Sequence, residues 1–148
     1  MKRQTDPRMH SAEHLLNATM VKTFDCGRCF SAHIERKKSK CDYHFDRALS
    51  EADMKEITAR VNEVIQTDVR VEEDFITRAE AQARFNLERL PEAAGDRIRI
   101  IRIGDYDACP CIGTHVRSTS ELGAFRITTT SFEDGVLRIR FKLTRPSQ

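Results

Sequence analysis

The sequence predicts an α+β fold, a mainly antiparallel sheet with two or three packed helices. Three observations predict it. Two long segments, Met9 to about Phe24 and Ser50 to about Gln66, carry apolar residues at three- and four-residue spacing. Several shorter segments alternate apolar and polar side chains, or are rich in β-branched residues. Short turns join two pairs of these strands, as in hairpins. At 148 residues the chain has room for one domain and little for a second, so residues 1–148 are read as one.

The elements follow in order. Ala12, Leu15, Leu16, Thr19 and Met20 give the first helix its stripe, and Gly27 is read as its end. Cys29 to Glu35 alternates, with Phe30, Ala32 and Ile34 on one face and Ser31, His33 and Glu35 on the other. Cys41 to Asp46 alternates again, with Cys41, Tyr43 and Phe45 facing one way. The basic run Arg36-Lys37-Lys38-Ser39-Lys40 is the tip of that hairpin. Ser50-Glu51-Ala52-Asp53 reads as a capping box. It opens a helix with Met54, Ile57, Val61, Val64 and Ile65 on its buried stripe. Val69, Val71 and Phe75 mark a strand, and Thr77 to about Leu87 a helix that Pro91 limits. Arg97 to Ile103 is a strand, and Gly104 to Thr119 is expected to be irregular, with one helical turn after Cys111. Ala124–Ser131 and Val136–Leu143 are strands joined at Glu133-Asp134-Gly135.

Composition excludes several classes. The formal net charge is +2, the hydrophobic fraction 39% and the charged fraction 32%, so the chain can build a core. No 18-residue apolar run exists, so no membrane is expected. The charged N-terminus lacks the apolar core of a secretory signal, and a cytoplasmic location is expected. The cysteines number 5, an odd count, so they cannot all pair. Thiols engaged in metal or reactive chemistry are the better reading.

His10-Ser11-Ala12-Glu13-His14 places two imidazoles four residues apart on a helix. Such positions share a face, and both rings can reach one ion. Cys109-Pro110-Cys111-Ile112-Gly113-Thr114-His115 repeats that separation between Cys111 and His115. Together the two pairs supply nitrogen and sulfur donors suited to zinc. Cys26-Gly27-Arg28-Cys29 is a C-x-x-C without a matching second one, and it reads as a turn with two buried thiols.

H-x-x-x-H near one end and C-x-G-T-H-V far downstream resemble the editing domain of alanyl-tRNA synthetases and their freestanding relatives, the short AlaX proteins. The carrying residues are His10 to Leu16 and Cys111 to Val116. Thr119 to Ile127 also resembles the family's T-x-E-I-G-x-F-x-I. Asp46, and Asn62 ahead of Ile65, stand where the family tends to have D and N-x-x-I. The resemblance implies an editing-domain fold and a metal-dependent aminoacyl-tRNA hydrolase. Its zinc would be held by His10, His14, Cys111 and His115. Its partner would be mischarged tRNA(Ala) carrying serine or glycine, edited in trans because the chain has no room for an aminoacylation domain. No DNA partner is expected. Two residues depart from the pattern: Ile112 replaces a frequent glycine, and Glu13 a small or apolar residue. The related threonyl editing domain usually has Asp two residues before the cysteine, and G-P-H. Here those positions read Cys109 and Gly113-Thr114-His115.

Zinc in such a site either lowers the pKa of water or binds the substrate amino group. Serine differs from alanine by one hydroxyl, so editing needs a polar partner near the metal. Thr114 is the first candidate, with His33, Ser31 and Cys109 behind it. Arg36, Lys37, Lys38 and Lys40 are the candidate phosphate contacts, and Arg138, Arg140 and Lys142 form a second basic stripe. Three other readings stay open: editing of seryl-tRNA(Thr), a non-catalytic tRNA-binding module, and an inverted zincin in which Glu13 of H-x-x-E-H is the base.

Overall fold

The computed structural model describes residues 6–85 and 96–144. The order is α1 (Pro7–Phe24), β1 (Ser31–Ile34), β2 (Ser39–His44), α2 (Glu51–Thr67), β3 (Val71–Thr77), α3 (Arg78–Arg84), β4 (Arg97–Ile103), β5 (Asp107–Pro110), β6 (Ala124–Glu133) and β7 (Val136–Thr144). A 3-10 turn at Thr119–Leu122 precedes β6. The strands form two antiparallel sheets, β1-β2-β7-β6 and β3-β4-β5. The α+β class holds, with two sheets in place of the single one expected. No helix among the described residues is long and apolar enough to cross a membrane.

α1 is the central element. Asp6 caps it, its carboxylate accepting from Met9 N–H at 3.0 Å, and Pro7 occupies the first turn, where its missing donor costs nothing. From Met9 to Met20 every residue except His10 is buried, so the helix is enclosed on all sides. It ends at Asp25, not Gly27. Asp25 adopts φ +55°, a left-handed conformation that Asp tolerates.

α2 starts as expected. Ser50 Oγ accepts from Asp53 N–H at 3.1 Å, and Asp53 Oδ2 accepts from Ser50 N–H at 2.9 Å. Asn62 ties this helix to β6: it donates to Phe125 O at 2.9 Å and accepts from Phe125 N–H at 2.8 Å. Leu15, Leu16 and Met20 of α1 and Ile57 and Val61 of α2 pack with Tyr43, Phe125, Ile139 and Phe141 in one core. A smaller cluster, Ala81, Ile98 and Ile100, lies under α3.

Four local expectations need correction. Thr77 is the cap of α3 rather than its first residue, and the helix ends at Arg84. Leu87 and Pro91 lie outside the described residues. The segment after Gly104 is not irregular throughout: Asp107–Pro110 forms β5 against β4. The helical turn sits at Thr119–Leu122, not after Cys111. Phe30 is exposed and stacks on His44, ring centroids 4.0 Å apart, instead of joining Ala32 and Ile34 inside. The β6–β7 turn is as read, with Asp134 and Gly135 both at positive φ, the geometry of a tight two-residue hairpin.

Candidate metal centre

α1 holds His10 and His14 on one face, and the loop leaving β5 brings Cys111 and His115 to the same point. One ligand atom from each of the four lies within 4.8 Å of the others. The ring centroids of His10 and His14 are 5.0 Å apart, those of His10 and His115 4.2 Å, and those of His14 and His115 4.4 Å. Cys111 Sγ is 3.4 Å from His10 Nε2.

The loop is shaped by two devices. Gly113 passes so close to His10 that a Cβ there would overlap the imidazole. Arg99, on β4, donates from Nη1 to Cys111 O at 3.2 Å and to Gly113 O at 2.7 Å. Its Nε is held by Glu73 Oε2 at 2.7 Å. A single guanidinium thus fixes both ends of the turn that carries the thiol.

His10 and His115 are oriented by hydrogen bonds at Nδ1, and His14 Nδ1, which makes no hydrogen bond among the described residues, by an ion-pair contact. His10 Nδ1 donates to Thr114 O at 3.1 Å, since a carbonyl can only accept, and Nε2 faces the cluster beside Cys111 Sγ. His14 Nδ1 lies 3.3 Å from Asp107 Oδ2. Asp107 is in turn gripped by Arg28 at 2.7 and 3.2 Å. His115 Nδ1 is 2.9 Å from Ser11 Oγ, which also accepts from Val116 N–H at 3.2 Å. His115 Nε2 is buried and has no hydrogen-bond partner. Backing of this kind is what fixes the tautomers of metal-binding histidines.

The electrostatics match. Burial pushes the Cys111 thiol up, but the imidazoles of His10, His115 and His14 around it outweigh that and bring its pKa down to about 3. Cys111 is therefore a thiolate, the ligating form. Burial lowers His115 to about 4 and keeps it neutral. Burial also opposes the charge on His14, yet Asp107 and Cys111 raise it to about 9. Burial raises the Asp107 carboxyl, but His14 and Arg28 hold it below its ordinary value. Three imidazoles and one thiolate fit a zinc ion, and the orphaned Nε2 of His115 is the polar atom such an ion would satisfy.

The other sequence candidates are placed differently. Thr114 is exposed at the edge of the cluster and meets His10 through its carbonyl. Cys109 lies on β5, and burial pushes its thiol up to about 12. Ser31 and His33 are exposed on β1; their register partners Asp42 and Lys40 put them on the sheet face opposite Cys41. His33 is paired with Glu35 at 2.8 Å. Arg36, Lys37 and Lys38 are exposed at the hairpin tip, whereas Lys40 sits on β2, 3.3 Å from Asp42 Oδ2. The Cys26-x-x-Cys29 thiols have different partners, Met20 O for Cys26 and Glu13 for Cys29.

Sequence reasoning missed Ser11, Arg28, Arg99 and Asp107. One signal was available. Asp107, Cys109 and Cys111 recur at period two, the spacing of one strand face. The long-range pairs of Arg28 and Arg99 leave no trace in local sequence.

Residues 98–140 match the family described as the threonyl and alanyl tRNA synthetase second additional domain. Similarity to alanine–tRNA ligases extends further. The chain is 32% identical to that of Aeropyrum pernix over 140 residues, 90% of this chain and 15% of the ligase. It is 33% identical to that of Halorhodospira halophila over 145 residues, 93% of this chain and 16% of the ligase. For Acidithiobacillus ferridurans the figures are 31% over 129 residues, 82% and 14%. The chain therefore spans about one-seventh of the length of these relatives.

Proposed function

We propose a function from one premise: the chain belongs to the family of the threonyl and alanyl tRNA synthetase second additional domain. The proposed reaction is hydrolysis of the ester that joins a wrong amino acid, serine or glycine, to tRNA(Ala). The observation that carries it is the convergence of His10, His14, Cys111 and His115, within 4.8 Å, with the Nε2 of His115 lacking a partner. These four residues would hold zinc. A bound zinc supplies Lewis acidity, which polarises an ester or acidifies water.

The chain's own residues supply positioning. Ser11, Asp107 and the Thr114 carbonyl hold the three imidazoles in ligating orientation. Arg28 balances the charge of Asp107, and Arg99 fixes the loop that presents Cys111. An ester is already activated, so orientation contributes much of what remains. Thr114, exposed beside His10, is the proposed partner for the serine hydroxyl. A site built around that hydrogen bond rejects alanine strongly, because alanine leaves it unmade. Arg36, Lys37 and Lys38 at the hairpin tip are the proposed phosphate contacts. Lys40, engaged by Asp42, contributes less.

The test is deacylation of seryl-tRNA(Ala), with alanyl-tRNA(Ala) and seryl-tRNA(Thr) in parallel, alongside zinc content. Rapid loss of serine from the alanine tRNA, with alanine spared, is expected. Preference for the threonine tRNA would keep the chemistry and move the substrate. No turnover on any of the three by zinc-loaded protein would overturn the hydrolase reading in favour of a tRNA-binding module.

A further inference from the structure

A second cluster lies beside the first, joined to it by one carboxylate. Glu13 sits on α1 between the two histidines. Its Oε1 is 3.6 Å from His10 Nε2, and its Oε2 accepts from Cys29 Sγ at 3.5 Å. One ligand atom each from Glu13, Cys29 and Cys41 lies within 4.8 Å of the others. All three are buried, at 7%, 2% and 0% exposure.

The cluster is held rigidly. Asn17 is one helical turn on from Glu13. Its Oδ1 accepts from Cys29 N–H at 3.1 Å and from Tyr43 O–H at 2.7 Å. Cys41 is pinned on β2 opposite Ala32 of β1 and Ile139 of β7. The fold thus brings Cys29 to Cys41, although the sequence spacing suggests Cys26 as its companion.

Glu13 is buried, and the groups that face its two oxygens are an imidazole and a thiol. A carboxylate withdrawn from water needs a countercharge or strong donors. A thiol is a weak donor. An imidazole nitrogen, His10 Nε2, stands 3.6 Å from Glu13 Oε1. Among the described residues, the ion-pair contact of Glu13 is this histidine and not a lysine or arginine.

We propose that Glu13, Cys29 and Cys41 form a second metal site, specific for a thiophilic divalent ion and coupled to the four-residue centre through the Glu13 carboxylate. Two sulfurs and one carboxylate oxygen are the donor types of zinc and cadmium sites, not of magnesium or calcium. On binding, Cys29 and Cys41 each lose their thiol proton to solvent and each forms one sulfur–metal bond. The ion would take one bond from each thiolate and one from Oε2 of Glu13, while Oε1 faces His10 Nε2 at 3.6 Å.

The experiment uses the full chain loaded with cadmium-113 and observed by NMR, with bound metal counted by mass spectrometry. The wild-type protein is expected to bind two equivalents and give two resonances, one in the range of single-sulfur and one in that of two-sulfur coordination. The paired variant Cys29→Ser/Cys41→Ser should lose the two-sulfur resonance and one equivalent. Cys111→Ser should perturb the other resonance. Glu13→Gln should weaken the second site roughly 10-fold or more. One equivalent and one resonance from wild-type protein would overturn the proposal, as would a two-sulfur resonance that survives in the paired variant. Should the paired variant fail to fold, the wild-type spectrum still decides. None of these readouts depends on deacylation, so the site stands or falls apart from the function proposed above.

Discussion

Gly113 and His10 are in such close contact that no side chain fits between them. A Cβ on Gly113 would overlap the ring at Cε1 and Nδ1, the nitrogen that donates to Thr114 O. Gly113 is not among the residues at positive φ, so the requirement is space and not backbone conformation. Gly113→Ala should therefore swing His10 out of register and leave the fold intact. Zinc affinity, measured by chelator competition, should fall roughly 10- to 100-fold, the cost of losing a supporting contact at a metal ligand. An unchanged affinity would separate His10 from the centre.

Asp107 joins two cations that are distant in sequence, His14 and Arg28. Asp107→Asn keeps the shape and removes the charge. His14 then loses the group that fixes its orientation, and Arg28, 31% exposed at its side chain, loses its ion pair. Zinc affinity should drop roughly 10- to 100-fold. The metal-free protein should lose about 1–3 kcal/mol of stability in denaturant titration. Loss of stability alone, with zinc binding unchanged, would make Asp107 a partner of Arg28 only.

Asn62 makes a pairing that β6 otherwise lacks at that point. Its side-chain amide satisfies both the N–H and the carbonyl of Phe125, a residue 1% exposed. Asn62→Ala leaves both groups without a partner. A cost of about 2–4 kcal/mol follows, a fall in Tm of roughly 5–10 °C in calorimetry. Asn62→Asp should cost as much, because a carboxylate cannot donate to the Phe125 carbonyl.

These residues differ in how far the sequence revealed them. His10, His14, Cys111 and His115 were legible because two four-residue spacings are local and chemically distinctive. Asn62 was legible only as a motif position; what it bonds lies across the fold. Asp107 was hidden for a different reason. Its strand is four residues long, follows Gly104 and ends on Pro110, so turn residues outweighed its alternation. Regular elements with strong periods, α1, α2, β4 and β7, fell close to their expected positions. Phe30 failed because alternation assigns faces without saying how far a strand extends. β1 begins only at Ser31, and the ring before it turns outward onto His44.

Asp42 should set part of the acid limb of stability. Hydrogen bonds from Arg138 at 2.8 and 3.0 Å hold its carboxyl below the ordinary range, against an opposing effect of burial. A depressed folded-state pKa stabilises above the unfolded value and loses that contribution as pH falls through the folded one. The contribution should thus be complete near neutrality and decline below about pH 4. Asp42→Asn should cost about 1–2 kcal/mol at pH 7 and nothing at the lowest pH where the protein still folds. Parallel curves for the two proteins across that range would remove Asp42 from the acid transition.

The basic hairpin tip and the basic stripe of β7 are not equivalent as candidate phosphate-binding surfaces. Arg138 is bonded to Asp42, and Lys40 lies against the same carboxylate, so two cations on that face are partly neutralised. Lys37 and Lys38 are exposed, and neither has an ion-pair partner among the described residues. Free cations release counterions from phosphate, and each such contact steepens the salt dependence of binding by nearly one in a log–log slope. Lys37→Ala/Lys38→Ala should raise KM for the charged tRNA, leave kcat unchanged, and flatten the salt slope by about 1–2. Arg138→Ala should instead act through stability, because it deprives Asp42 of its main partner. A KM unmoved by the tip variant, or a kcat that falls with it, would place the phosphate contacts elsewhere on the molecule.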